Sequence, residues 1–480
     1  MTIEQLIEVL VQDPALQVCI DSRKVRPSDV FVAIRGTHQD GHRFIDQAIS
    51  NGAKYIVFEP SASTADGRAI WIPVPDTTEA LAKLAQARYN WPASRLTNLA
   101  VTGTNGKTTV AYLVRACLQK AGIKCGLIGT IVYDTGLQVR QADLTTPDSL
   151  ALANLQQEML KAGCTHMIME ASSHALAQGR CKGIGFRAAA FTNLTQDHLD
   201  YHKDIHNYGQ AKAILFEGLD PDAWAVLNAN CPHAKYMAES TRAVCIWYGI
   251  GSSTDLTACI LGMDACSTRY VLGYGGRQVA IDSPLLGLHN VSNHLAAAGL
   301  CLALGLDLGQ IKQGLESLRS IPGRLERIDW SGSFSVIVDF AHTEDALRRV
   351  LATLRPLCNG RLIVVFGCGG DRDKGKRPRM GRAAQELADI VVITSDNPRT
   401  EDPDLIIHQI LSGLIDPDPN CVHVEPDRRT AIGWAISRAT SGDIVLIAGK
   451  GHENYQIVGT EKRPFSDQEV AIECLRGLRP

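Results

Sequence analysis

The stretch Thr102-Gly103-Thr104-Asn105-Gly106-Lys107-Thr108-Thr109 carries the residue types that hold a polyphosphate. Two glycines permit a tight turn whose backbone N–H groups converge. A lysine supplies a point charge for the terminal phosphates, and threonines offer a hydroxyl to magnesium. The turn follows a short apolar run, Leu99-Ala100-Val101, and opens onto a helical pattern from Val110 to Ala121. It therefore lies where a strand feeds a helix N-terminus, and there the helix dipole favours an anion. The spacing departs from the usual Walker A motif, because Val101 stands where the first glycine is usual. Gly103, Thr104, Asn105, Gly106, Lys107, Thr108 and Thr109 are the expected cradle for a nucleoside triphosphate.

Other chemically equipped clusters also follow apolar runs. Glu170 closes Met167-Ile168-Met169 and begins Glu170-Ala171-Ser172-Ser173-His174. A carboxylate there is the expected magnesium partner of a phosphate loop; read alone, the segment is a helix start capped by Ser172 or Ser173. Asn193 to His202 is dense in imidazole and carboxylate, which suggests metal and phosphate chemistry, although a single histidine is more often structural. Tyr208-Gly209-Gln210-Ala211-Lys212 opens an amphipathic helix on which Lys212 alone reads as a solvated residue. Later, Asp396-Asn397-Pro398-Arg399 follows Ile390–Ile393, and Gly449-Lys450-Gly451-His452-Glu453 follows Ile444–Ala448. Arg399 and Arg372 can fork onto a carboxylate, while Glu453 and Asp396 can accept from an ammonium. Taken alone, Asp396-Asn397-Pro398 is only a turn.

The elements that position these clusters alternate strand and helix. With 480 residues the chain exceeds one core, and about 150 residues per domain suggests three. Residues 1–95 mix short strands (Val30 to Ile34, Tyr55 to Phe58) with helices. Residues 96–321 give buried-strand patterns at Met167–Met169, Ala188–Phe191 and Ala225–Leu227, then an alanine-rich helix from His294 to Leu304. After the linker-like Ser320-Ile321-Pro322-Gly323-Arg324, residues 322–480 repeat the alternation with strands at Val336–Val338, Leu362–Phe366, Ile390–Ile393 and Ile444–Ala448. Continuous apolar runs suit parallel sheets, whose ligands bind at the carboxyl ends of the strands. The fold class is α/β, with a small N-terminal domain, a central phosphate-loop domain with a mainly parallel sheet, and a doubly wound Rossmann-like C-terminal domain.

Hydrophobic content of 45%, charged content of 21% and a formal charge of −3 describe an ordinary globular protein. They argue against a nucleic-acid partner, whose usual footprint is basic. The fourteen cysteines are scattered without a C-x-x-C pair, which reads as buried, reduced thiols of a cytoplasmic protein. The N-terminus lacks a signal pattern, and no apolar run reaches the roughly 18 residues of a membrane span.

In order along the chain, these motifs resemble the Mur ligases. Gly103–Thr109, Glu170–His174, Asp197–His202 and Tyr208–Lys212 resemble the central domain of that family. Leu286-Gly287-Leu288-His289-Asn290-Val291-Ser292-Asn293 resembles its asparagine motif. Arg324, with Asp339-Phe340-Ala341-His342-Thr343, resembles the C-terminal elements that close over ATP, and Asp21-Ser22-Arg23 resembles the uridine-binding turn. Asp396–Arg399 and Gly449–Glu453 are similar to the recognition elements of the family's diaminopimelate-adding branch. The resemblance implies an ATP-dependent ligase of peptidoglycan precursor synthesis, a cytoplasmic monomer acting on UDP-N-acetylmuramoyl-dipeptide and meso-diaminopimelate. It implies Lys107, Glu170, His198 and Lys212 as catalytic residues. Thr108, Glu170, His198 and a Lys212 carbamylated by carbon dioxide would hold magnesium. Asn290, Arg324 and Asp339 would join the ATP site. Ile20, Ser22, Thr145, Thr146, Ser172, Gln178 and Arg180 would bind the UDP-sugar peptide, and Arg372, Asp396, Asn397, Pro398, Arg399, Gly449 and Glu453 the diaminopimelate. An L-lysine-adding ligase, a folylpolyglutamate synthase and a nucleotide-dependent scaffold are the competing readings. Retention of Lys107, Glu170, His198 and Lys212 argues against the scaffold.

Overall fold

A computed structural model describes residues 1–478 except 14, 37–38, 61–66, 196, 198 and 265–266, with the backbone alone at 199–200. The chain forms three main sheets in sequence order. The first has four parallel strands, Val18–Cys19, Val30–Val32, Tyr55–Phe58 and Ile70–Pro73, side by side in that order. The apolar run through Ile34 ends as a strand at Val32 because the chain turns: the Ile34 carbonyl accepts from Gly41 N at 2.8 Å.

The central sheet has eleven strands. At its middle lies Thr97–Thr102, flanked by Phe186–Phe191 and His166–Glu170, all parallel. The register pairs Val101 with Glu170 and Thr102 with Phe191, so three strands end side by side. That alignment brings the phosphate turn, Glu170 and Thr192 to one rim. Parallel pairing continues outward through Trp224–Asn228, Val244–Ile250 and Leu256–Met263 on one side and Cys125–Ile128 on the other. Antiparallel strands extend both edges: Thr268–Tyr274 and Arg277–Ser283 on one, Val132–Asp134 and Val139–Gln141 on the other. Most of their side chains are half-buried or exposed, unlike those of the central strands, and the sequence pattern suggests none of them.

Helices cover both faces of this sheet. Val101 and Ile168 point into one core with Val110, Val114 and Leu295, while Ala100, Met169 and Phe191 point into the other with Leu152 and Phe216. Helices Ser149–Lys161 and Ile205–Glu217 begin at Asp148 and Asp204, whose side chains accept from the first-turn N–H groups. Lys107–Lys120 and Leu288–Leu302 differ. They begin at Gly106 and Gly287 with no side-chain cap, leaving first-turn donors for a ligand. The second of these starts before the alanine-rich run, so Asn290 and Asn293 fall within its first turns.

The C-terminal sheet runs Glu326–Arg327, Ser335–Asp339, Ile444–Ala448, Leu362–Phe366, Ile390–Ile393 and Val422–Val424 in spatial order, parallel but for the first pair. The chain order is broken between Ile444–Ala448 and its neighbours, and a crevice forms outside strand ends at such a break. Between the first and central sheets a buried amide chain ties the layers. Gln86 Nε2 donates to Gln156 Oε1 at 2.9 Å, Gln156 Nε2 to Asn98 Oδ1 at 3.2 Å, and Asn98 Nδ2 to the Ala93 carbonyl at 2.8 Å.

Candidate active site

The phosphate turn is built for a close approach. Gly103 and Gly106 have φ of 148° and 92°. A Cβ at Gly103 would lie 1.9 Å from Thr192 Oγ1, and one at Gly106 would lie 2.3 Å from Asn293 Oδ1. Only glycine fits at either place. The turn is held from behind by the strand end at 192–193. Asn193 Oδ1 accepts from Asn105 N at 3.0 Å, the Asn193 carbonyl accepts from Thr104 N at 2.8 Å, and Thr192 Oγ1 donates to the Asn105 carbonyl at 2.6 Å. The sequence had offered Asn193 only as part of a polar cluster; its work is to shape the loop. Lys107 folds back, donating to the carbonyls of Gly103 and Thr104 at 2.9 Å each. Burial lowers its pKa, opposed by Glu170 and Asp197.

Glu170 is 1% exposed. Its Oε2 accepts from Thr108 Oγ1 at 2.9 Å and Thr130 Oγ1 at 3.0 Å, and its Oε1 accepts from Thr130 N at 2.8 Å. Thr130 had no sequence signal beyond its place after the Cys125–Ile128 strand. Ser172 also caps the short helix Ser173–Ala177, its side chain accepting from Ala175 N, as the helix-start reading expects. His198 lies outside the described residues. Among those described, no three His, Cys, Asp or Glu side chains group as a metal site. His202 fits the structural reading of a single histidine, with Nε2 2.9 Å from Ser173 Oγ and its ring 5.0 Å from that of Tyr208.

Lys212 is buried at 1% exposure, contrary to its helical-face reading. Tyr208, Lys212 and Phe216 recur every four residues on the inward stripe of their helix, a spacing that marks Lys212 as interior. Its Nζ stands 4.1 Å from the centroid of the Tyr208 ring. Burial first, then the Lys107 charge, holds its pKa well below the usual lysine value, against a smaller opposing pull from Asp197.

A cleft of about 590 Å³ joins Thr104–Thr109 and Glu170 to Asn290, Arg324 and Asp339. Asp339 anchors the turn that delivers Arg324: its carboxylate accepts from Leu325 N at 2.7 Å and Ala341 N at 2.8 Å. Arg324 stacks 4.5 Å from the centroid of Phe340 and reaches Thr108 Oγ1 at 3.5 Å, while its buried Nε has no hydrogen-bond partner. A buried, unpartnered N–H on a guanidinium that reaches Thr108 in the first turn of an uncapped helix, beside the Lys107 ammonium, fits a phosphate. Thr108 and Glu170 present hard oxygen donors that suit magnesium, which takes few protein ligands beside phosphates.

Thr145, Thr146, Ser172, Gln178 and Arg180 form one connected patch beside Glu170. Thr130 and Thr145 hydroxyls are 3.1 Å apart. Thr146 Oγ1 donates to the Glu170 carbonyl at 2.7 Å and accepts from Ser172 N at 3.0 Å. Arg180 donates to Gln178 Oε1 at 2.7 Å and to the Thr146 carbonyl at 2.9 Å. Ile20 and Ser22 follow the first strand of the N-terminal sheet, Ser22 opening the short 3-10 turn Ser22–Lys24, and they line neither large cleft. Ile20 is 39% exposed, and the buried Ser22 hydroxyl donates to Gln47 Oε1 at 2.8 Å.

A second cleft, about 810 Å³, opens at the carboxyl ends of the C-terminal strands. Arg372, Asp396, Asn397, Arg399, Gly449 and Glu453 line it, and Pro398 does not. Arg399 adopts φ of 52° and donates to the Gly370 carbonyl at 2.7 Å. Beneath the strand ends, Arg428 and Asp467 make a fully buried ion pair at 2.7 Å, and Arg428 also donates to the Ala448 carbonyl at 3.0 Å. Asp197, Phe340, His342 and Thr343 line both clefts. The cleft at the glycine turn and the charged cleft therefore share a wall.

Three family models match the chain in order: the Mur ligase family catalytic domain over residues 16–89, the Mur ligase middle domain over 101–301 and the Mur ligase glutamate ligase domain over 323–451. The UDP-N-acetylmuramoyl-L-alanyl-D-glutamate–2,6-diaminopimelate ligase of Gloeobacter violaceus is 47% identical over 465 residues, 96% of this chain and 93% of that protein. That of Solibacter usitatus is 44% identical over 470 residues, 98% of this chain and 95% of its own. A solved structure of a ligase of the same name is similar at a TM-score of 0.70 and 34% identity, covering 97% of this chain and 95% of that one.

Proposed function

This chain belongs to the Mur ligase family, and on that premise we propose that it adds meso-2,6-diaminopimelate to UDP-N-acetylmuramoyl-L-alanyl-D-glutamate, driven by ATP. The observation that carries the reading is the shared wall of the two clefts. A phosphorylated carboxylate formed in one would face an amine held in the other.

The D-glutamate side-chain carboxylate attacks the γ-phosphate of ATP, giving an acyl phosphate and ADP. The amine then attacks the acyl carbon, and phosphate leaves from the tetrahedral adduct. Lys107 turns from its own loop carbonyls to the β- and γ-phosphates, and Arg324 brings its unpaired Nε to the same charge. Positioning and charge neutralisation are most of what phosphoryl transfer needs. Thr108 and Glu170 would hold one magnesium; a carbamylated Lys212 and His198 would hold a second. Magnesium supplies charge neutralisation at the transferring oxygens. A depressed lysine pKa supports carbamylation, since only the neutral amine adds carbon dioxide. Thr145, Thr146, Ser172, Gln178 and Arg180 orient the peptide arm, with Ile20 and Ser22 at the uridine end.

Arg399 and Arg372 select the distal carboxylate of the incoming amino acid; L-lysine has none to offer. A folylpolyglutamate synthase would need neither these residues nor the N-terminal sheet. The reading includes a monomer working in the cytoplasm with domains at 1–95, 96–321 and 322–480. No helix among the described residues is long and apolar enough to cross a membrane. The test is phosphate release with ATP, magnesium, the UDP-sugar dipeptide and a panel of amino acids. Release should require the dipeptide and meso-diaminopimelate. Equal release with L-lysine, or with a folate and glutamate, would refute the assignment.

A further inference from the structure

Lys450 follows the Ile444–Ala448 strand, and its side chain is 0% exposed. It cannot touch a substrate in the cleft. Its Nζ donates to Glu453 Oε2 at 3.0 Å and to Asn397 Oδ1 at 3.1 Å. Asn397 Nδ2 donates to the same Glu453 Oε2 at 2.9 Å, and Asn397 Oδ1 also accepts from Ile457 N at 2.9 Å. The amide orientation is forced, because a flipped Asn397 would aim its NH₂ at two donors. Glu453 Oε2 thus has two donors, while its Oε1 has no hydrogen-bond partner among the described residues. Glu453 lines the cleft beside Arg399 and Asp396.

We propose that Lys450 is a positioning and specificity residue: it clamps Glu453 so that Oε1 meets the distal ammonium, and it biases the site toward a two-headed amino acid. The proposal rests on the diaminopimelate reading above. A buried ammonium demands a counter-charge, so Lys450 cannot leave Glu453 without leaving itself unpaired; the clamp is therefore stiff. The same charge partly cancels that of Glu453. A bare ammonium, as on L-lysine, gains little from so compensated a carboxylate. A head that also carries a carboxylate gains the fork to Arg399 as well. Discrimination then comes from the pair of charges, with Lys450 setting the weaker half.

Two variants separate clamp from charge. Lys450→Gln keeps a donor toward Glu453 without the charge; Lys450→Met removes both. In the full-length enzyme, Lys450→Met should raise the meso-diaminopimelate KM about tenfold or more, as loss of a charged hydrogen bond does. KM for ATP and for the UDP-sugar dipeptide should stay within about twofold. Lys450→Gln should keep most of the diaminopimelate affinity. Both variants should raise the ratio of L-lysine to diaminopimelate kcat/KM. Calorimetric binding of meso-diaminopimelate with dipeptide and a non-hydrolysable ATP analogue gives the same comparison without turnover. An unchanged ratio, or an equal rise in all three KM values, overturns the role of Lys450. Wild-type enzyme that neither binds nor uses meso-diaminopimelate overturns the functional reading itself.

Discussion

Thr108 Oγ1 donates to Glu170 Oε2 across 2.9 Å, although 62 positions separate them in the chain. The pairing of Val101 with Glu170 in adjacent parallel strands brings Glu170 to the rim where the helix carrying Thr108 begins. The pair is the proposed seat of magnesium. Glu170→Gln and Thr108→Val should each lower kcat by about 10²–10³-fold, the usual loss when a charge-stabilising contact is removed. The magnesium dependence of turnover should shift to higher concentration. Nucleotide binding measured without metal should change little. Unchanged magnesium dependence in both variants would remove the pair from the metal site.

Lys212 carries a prediction with a definite sign in pH. Its pKa in the folded protein lies well below the usual value because of burial and Lys107, whereas the unfolded chain titrates near about 10.4. Between those two values the unfolded state binds the extra proton, so stability rises with pH. Lys212→Met should therefore stabilise the carbon dioxide-free protein most at neutral pH and below, with the gain vanishing toward pH about 10.4. Bicarbonate should raise the melting temperature of the wild type and leave that of the variant alone. Lys212→Ala and Lys212→Arg should both lose ligase activity, since arginine keeps the charge but forms no carbamate. Full activity in Lys212→Arg would refute the carbamate.

Arg399 occupies left-handed backbone at φ 52°, which costs a non-glycine residue roughly 1–2 kcal/mol. Arg399→Ala keeps that strain and loses the guanidinium; Arg399→Gly loses both. Both variants should weaken meso-diaminopimelate by about 2–5 kcal/mol, with ATP and dipeptide KM nearly unchanged. The glycine variant should be the more stable by denaturant unfolding. If the two differ in diaminopimelate KM, backbone strain rather than the fork sets affinity.

Gln156 links the first two sheets through Gln86 and Asn98. Gln156→Leu leaves the Gln86 donor and the Asn98 acceptor buried without partners, at about 1–3 kcal/mol each. Denaturant unfolding should register the loss, while KM values at the distant clefts hold. The same network makes deletion of everything before Trp91 a poor test of UDP-sugar binding, because it strips Gln86 from the central domain. Substitution of Ser22 or Gln47, which hydrogen-bond to each other at 2.8 Å, probes that end without uncovering the core. Unchanged UDP-sugar affinity in both would exclude the 20–22 turn.

Much of this architecture was legible in the sequence wherever a local rule decided it. Leu362–Phe366, Ile390–Ile393 and Ile444–Ala448 form strands with the bounds read from their apolar runs, because a strand buried on both faces leaves no alternation to confuse. Gly103 and Gly106 were legible because only glycine tolerates their φ and neighbours. Lys212 was half legible: its motif pointed to chemistry and its helix pattern to solvent. The stripe with Tyr208 and Phe216 decides for burial. The support of the phosphate turn by Asn193 and the clamp on Glu453 by Lys450 were not legible. Each depends on partners brought together by sheet register, and a lone lysine between two glycines carries no local sign of burial.

The central claim is an acyl phosphate handed to a two-headed amino acid. UDP-sugar dipeptide labelled with oxygen-18 in the D-glutamate side-chain carboxylate, given ATP, magnesium and equimolar meso-diaminopimelate and L-lysine, tests it in one mass-spectrometric measurement. The account predicts one labelled oxygen in the released phosphate and a nucleotide product bearing diaminopimelate. Unlabelled phosphate, or lysine as the main addition, would contradict it.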